Sequence, residues 1–554
     1  IVVLPFENLG APDDEYFADG ITDAITARLA GLSGLGVISR QSAMQYKGSD
    51  KSVRTIGEEL GVDYILEGTI QRERPSDPTS RVRIIPQLIH CSDDIHVWAD
   101  TYDEDMTEVF RLQSEIAERV ARELDVAILE PERRALDTKP TENLEAYEYY
   151  LRGLEHAELR INEEASLECV RFFGKAVELD PGFAAAWAQL SISHTWLYWR
   201  SLQQDSGERA EARRTVDEAM RLDPDLPEAH LALGLFYYYG SRDYERALEH
   251  LNAVLKRRPS DFHANSAIGF IKRRQGKWEE ALEIFKRTHT MNPRNYMTNF
   301  DNLGNTYLFL RRYDEAERYV DRAMALVPNM PSAYISKADI AIHRDGDLES
   351  ARSYLREAVR LTPPERRCYL MGYVEQWTFR VAFDSPCDWV DMVNLSDCLA
   401  MSENESAADI IIRVQCSVEE GRNEEAMVLL DSARVIIEHA MEESERPSPW
   451  NHISLAYVYA HLGRAEDAIR EGKRSLEIMP VSKDAFDGPE YLACLAEIYA
   501  IVGDYEAAID QLEILFSVPS LISGNALRLD PTWDPLRDHP RFQKLLDEVE
   551  GSGS

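Results

Sequence analysis

Basic residues are scarce in this chain. Its 554 residues carry 61 Lys and Arg against 98 Asp and Glu, a formal charge of −37. So acidic a surface repels phosphate backbones, which argues against direct nucleic-acid binding by this region. Cysteine is thin as well. The seven cysteines (91, 169, 368, 387, 398, 416, 494) are scattered and form no CxxC. Such usage fits a reducing compartment better than a disulfide framework. No apolar run is long enough to cross a bilayer, and no signal-peptide pattern is present. "GLSGLG" at 31–36 has neither the Gly-x-Ser-x-Gly of a nucleophile elbow nor the Gly-Lys-Ser/Thr ending of a phosphate loop. HExxH is missing, and no serine or cysteine has a located base. The expectation is a non-catalytic chain with no cofactor and no metal. What is present is ordinary for folded protein: the hydrophobic fraction is 44%, so the acidity does not signal disorder. The first residue is Ile1 rather than Met, and the chain reads as a piece of something longer.

Residues 1–140 alternate strand and helix patterns, as a small mixed-sheet α/β domain does. "IVVLPFENL" reads as a buried strand, and "GLGVISR" and "VDYILEGTIQRE" as two more. In "DEYFADGITDAITARLAGL", Phe17, Ile21, Ile25 and Leu29 recur at helical spacing. "SVRTIGEELG" reads as a short helix ending at Gly61, and "MTEVFRLQSEIAERVARELDVAIL" as a long amphipathic one. Between the strands "SRVRIIPQLI" and "IHVWADTY" lies a cluster of His90, Cys91, Asp93, Asp94 and His96. A turn centred on Asp93 would set His90 opposite His96, about 5 Å apart at Cβ, as two corners of a zinc tetrahedron. No third ligand is evident nearby, and the alternative is a polar hairpin tip.

From about 144 onward no strand signal persists and a spaced pattern recurs. "GKWEEALEIFKRTHTMNP", "RRYDEAERYVDRAMALVP" and "SRDYERALEHLNAVLKRRP" are copies, as are "GRAEDAIREGKRSLEIMP" and "GDYEAAIDQLEILFSVP". Pro259, Pro293 and Pro328 fall 34 and 35 residues apart. The pattern resembles the tetratricopeptide repeat, two antiparallel helices that must stack on neighbours to bury their apolar faces. The small residue (Ala247, Ala281, Ala316, Ala468, Ala508) lets the helices approach. The expected fold is therefore a mixed-sheet α/β domain followed by an all-α superhelical solenoid. The array runs over 141–363 in about six repeats and resumes over 411–546 with a C-terminal cap. The stretch 364–410 reads as an irregular helical segment or distorted repeat, and 547–554 as a tail or linker.

The first 130 residues further resemble the TolB-amino-terminal-like domain of bacterial regulatory proteins. "VVLPFENLG", "EYFADGITDAI", "LGVISRQSAMQYKG", "IGEELGVDYILEGTIQR", "RVRIIPQLI" and "HVWADTYDEDM" carry the likeness. The resemblance implies the regulatory half of a larger protein, with tetratricopeptide repeats following. Its effector in such families is a winged-helix DNA-binding domain, a class III nucleotide cyclase or a protein kinase. It also implies a hairpin, rather than a metal site, around His96 and Trp98.

The triplet His343-Arg344-Asp345 looks kinase-like, but Ser350 stands where a metal-binding asparagine belongs, and a repeat turn at Gly346 explains it. Binding surfaces are the better candidates. On the first helices, which line the concave face of such arrays, the expected partner-binding residues are His263, Phe270, Arg273, Arg274, Asp301, Asn305 and Phe309. Asn305 matches the asparagine of a peptide-carboxylate clamp, while Ser332 and Ser336 stand where its other donors belong. Together these features point to a regulatory, sensory and protein-interaction module. Its partner is a protein or peptide, its effector lies upstream, and its location is cytoplasmic, or periplasmic if a membrane span precedes it. A small-molecule sensor and an envelope assembly scaffold are the alternatives.

Overall fold

Alternation of apolar side chains builds the amino-terminal sheet. In the computed structural model β1 (Val2–Val3) and β2 (Glu7–Asn8) run parallel to β3 (Tyr64–Arg72). β3 pairs antiparallel with β4 (Arg81–His90), which pairs with both β5 (Ile95–Ala99) and β6 (Tyr102–Asp105). Successive residues face opposite layers. Val3 and Leu66 enter the larger core, with Phe17, Ile21, Ile25 and Leu29 of α1 (Glu15–Ala30). Val2 and Ile65 enter a smaller one, with Ala43 of α2 (Arg40–Met44) and Ile56 and Leu60 of α3 (Val53–Leu60). Ser52 caps α3, its Oγ accepting from the Thr55 N–H at 3.2 Å, and Gly61 ends the helix at φ +66°. The fourth helix, α4 (Val109–Glu123), completes the larger layer.

The structure describes residues 1–554 except 75–76, 78–79, 158–162, 201–205, 365–366, 368–377, 379–380, 384, 394–406, 444–446 and 553–554. Most of the irregular stretch 364–410 lies outside the described residues. The chain divides into two units: Ile1–Ile271 with Glu283–Thr298, and Lys272–Leu282 with Asn299–Ser554.

In the first unit, helical hairpins follow the sheet, beginning with Leu144–Ala157 and Glu163–Leu179. The larger core does not stop where the sheet does; Tyr147, Leu151 and Phe173 belong to it. Gly20 of α1 makes this possible, because a Cβ there would stand 2.7 Å from Leu151. In the second unit the hairpins include Tyr313–Leu326 after a short first helix, Pro331–Ile340 with Leu348–Leu361, Pro449–His461 with Ala465–Ile478, and Gly488–Val502 with Tyr505–Ser517. Ala247, Ala281, Ala316, Ala468 and Ala508 are all fully buried, as close helix approach requires. Among the described residues no helix is long and apolar enough to cross a membrane.

Three expectations need correction. "GLGVISR" does not form a strand. It runs extended beside β1, where the Ile38 N–H donates to Ile1 O at 2.9 Å, but Ser39 turns away and donates to Met291 O at 2.8 Å. The hairpin register also differs. A shift between Leu88 and Ile89 sets His96 opposite Ile89 and His90 opposite Ile95, so the two histidines are not partners across the ladder. Finally, Cys387 and Cys416 are joined as a disulfide across 29 residues, a pairing that scattered cysteines with no motif could not disclose.

Candidate functional site

The helix Phe262–Arg274 ends in "KRR", and its last turn carries the basic side chains Lys272, Arg273 and Arg274. Cations are favoured there by the partial negative charge of the free carbonyls. Lys272 pairs with Glu280 at 2.7 Å. Arg273, 3% exposed, donates through Nη1 to Asp301 O at 3.0 Å and to Thr306 Oγ1 at 3.1 Å, with the Asp301 carboxylate 3.6 Å from Nη2. Asn305 donates to that same carboxylate at 3.3 Å. Phe309 stacks on Trp278, ring centroids 5.9 Å apart. Of the residues expected to bind a partner, Arg273, Arg274, Asp301, Asn305 and Phe309 are thus brought into one patch.

That patch is occupied by the chain's own residues 484–487. Arg274 Nη1 meets Asp484 Oδ2 at 2.6 Å and Asp487 Oδ2 at 2.8 Å. The Ala485 N–H donates to Arg274 O at 2.7 Å. Phe486 lies between two faces: the Arg273 guanidinium is 3.9 Å from its ring centre, and the Phe309 ring stacks at 4.4 Å. Asp484 holds the loop in shape, its Oδ1 accepting from the Phe486 and Asp487 N–H groups, both at 3.0 Å. Glu490 follows; burial and the Asp487 carboxylate push its carboxyl up to about 8. Nothing in "SKDAFDG" marked it as a ligand, because the arginines that meet it lie some two hundred residues earlier.

His263 and Phe270 belong to the first unit. Phe270 packs against Phe285, centroids 5.4 Å apart. His263 is exposed and lines a cavity of about 160 Å³ with Thr26, Ala30, Gln41 and Met291. His343 is fully buried, bonded to Ser523 Oγ at 2.9 Å, and burial pulls its imidazole down to about 3. A ring so held takes up no proton near neutrality, and Arg344 pairs with Glu317 at 2.6 Å. The triplet therefore fastens a repeat turn. His90 bonds Asp93 at 2.7 Å at the hairpin tip, while His96 is exposed. Sequence reasoning missed another cluster, in which donor atoms of Cys387, Cys416 and Glu420 lie within 4.8 Å of one another, the two sulfurs being bonded together.

Two tetratricopeptide-repeat family models match the chain, over residues 260–329 and 302–366. A Rhizobium meliloti (strain 1021) protein named "Putative adenylate cyclase 3" is 35% identical over 239 residues, which are 42% of this chain and 39% of that protein. The Arabidopsis thaliana "Protein CTR9 homolog" is 25% identical over 229 residues, 41% of this chain and 17% of that protein. The matches thus span well under half of either relative. Among solved structures, MamA is 22% identical, covering 32% of this chain and 97% of its own, with a TM-score of 0.26. Pseudomonas aeruginosa PilF is 16% identical, covering 48% of this chain and 94% of its own, with a TM-score of 0.28. Residues 260–366, which include the arginine patch, are tetratricopeptide repeats.

Proposed function

We propose that this chain is the non-catalytic regulatory and interaction part of a bacterial signalling or transcription-regulating protein. Its repeats take a protein or peptide partner, and the α/β region passes that event to an effector outside these residues. The observation that carries the reading is the arginine-aromatic patch on repeat helices, whose chemistry suits a peptide. The likeness to part of a protein named for a cyclase supports the regulatory context, as does the resemblance of the first 130 residues to TolB-like regulatory domains. So does the way the sheet region meets the repeats. Buried Arg72 of β3 pairs with Glu148 of the first repeat helix, and Ser42 Oγ of α2 donates to Asn292 Oδ1 at 2.5 Å.

The coding DNA ahead of Ile1 tests this reading. An open frame running on into a cyclase, kinase or winged-helix domain is expected. A signal peptide there, or a start codon directly before Ile1, overturns the regulatory context and favours an assembly scaffold.

A further inference from the structure

The loop that fills the arginine patch is an addition to the repeat pattern. Left-handed turn residues mark successive hairpins: Gly276, Arg311 and Gly346 fall 35 residues apart, but Gly463 and Gly503 are 40 apart. The extra residues lie between helix Ala465–Ile478 and helix Gly488–Val502, and they include Asp484, Ala485, Phe486 and Asp487. Other repeats pass from one hairpin to the next in a few residues, as from Leu326 to Pro331. The inserted residues meet the patch as a bound peptide meets its receptor. Two carboxylates grip one guanidinium, an aromatic anchor sits between a cation and a ring, and one main-chain N–H bonds a helix-end carbonyl. The Asp484 side chain is fully buried and Arg274 is 15% exposed, so the contact is desolvated rather than a loose surface pair.

We propose that Arg273, Arg274, Trp278 and Phe309 form a recognition site for an acidic protein segment with a phenylalanine anchor, of the Asp-x-Phe-Asp kind. Residues 484–487 are its built-in occupant, displaced when a partner presents the same chemistry. This deepens the interaction function proposed above and rests on it. A tethered occupant competes at an effective concentration of about millimolar, so a partner segment must bind more tightly than that or arrive in excess. The acidic surroundings sharpen the choice. Segments lacking the aromatic anchor gain only the ion pair, against the repulsion of a chain of net charge −37.

The test uses a fluorescent peptide copying residues 481–490 and the whole chain in two forms, wild type and Phe486→Ala. Fluorescence anisotropy is expected to show binding to Phe486→Ala about tenfold or more tighter than to wild type, because the built-in occupant loses its aromatic anchor and competes less well. That binding is expected to be lost in Phe486→Ala with Arg274→Ala, and with a peptide carrying Ser for Phe. Equal affinities for a folded Phe486→Ala chain and wild type overturn the proposal. Should Phe486→Ala fail to fold, amide hydrogen exchange of the wild-type chain decides. Excess peptide is expected to speed exchange at residues 485–488 while helix Gly488–Val502 keeps its protection beyond its first turn, and unchanged exchange overturns displacement. A natural partner that binds wild type and Arg274→Ala equally well sinks this site while leaving the interaction function standing.

Discussion

At the scale of single residues, the turn positions between paired helices are the most instructive. Gly276, Gly346, Gly421, Gly463 and Gly503 take positive φ there, and so do two arginines, Arg242 and Arg311. A side chain in that region costs about 1 kcal/mol or more, so its presence asks for a return elsewhere. Arg311 supplies one. Its guanidinium donates to Ile522 O at 3.0 Å, Leu515 O at 3.1 Å, Val518 O at 3.3 Å and Ser520 Oγ at 2.8 Å. Arg311→Gly is expected to be less stable than wild type in urea unfolding, and Arg311→Ala less stable still, by about 1 kcal/mol. A glycine variant more stable than wild type would show that the carbonyl cage contributes less than the strained backbone costs. Glu148→Gln makes a second case. It leaves the Arg72 guanidinium, 1% exposed, with only the more distant Asp14 carboxylate at 3.8 Å, and the expected loss is about 2 kcal/mol in the same measurement. Glycine turns were legible from the repeat pattern. The arginines were not, because what holds Arg311 comes from some two hundred residues further along the chain.

At the scale of elements, helices read more truly than connections. The four-residue spacing of Phe17, Ile21, Ile25 and Leu29 gave their burial directly, but not that of Tyr16, Ala18, Asp19 and Thr22 on the other faces of α1. The hairpin strands were legible too, but their pairing was not. A single irregularity between Leu88 and Ile89 moves His96 from one partner to another, and no side chain in "LIHCSDDIH" announces it. The disulfide between helix Pro386–Val393 and helix Ala407–Glu419 escaped the same way, through long-range pairing. Its reduction is expected to destabilise the second unit by about 2–4 kcal/mol. Denaturation with and without reductant checks this, and a Cys387→Ser chain should match the reduced wild type.

At the scale of the whole molecule, the repeat architecture was legible because one pattern recurs, whereas the occupied patch was not. Residues of a solenoid that meet across several repeats carry no shared signature in the chain. The patch also leaves a mark on pH dependence. Glu490, raised to about 8 by burial and by Asp487, keeps in the folded chain a proton that the unfolded chain releases near 4.5. Between those values the folded state binds more protons, so stability falls as pH rises. Glu490→Gln is expected to raise the melting temperature more at pH 8 than at pH 5, and an equal change at both would remove Glu490 from the account. The sheet region has its own consequence at this scale. It touches the repeats at helix Leu144–Ala157, through Arg72 and Gly20, and again at Asn292, through Ser42. Helical hairpins lie between those two anchor points, like a bow whose string is the sheet region. Any change in the curvature of these hairpins would therefore have to strain or break the contacts that β3 and α2 make at the two ends.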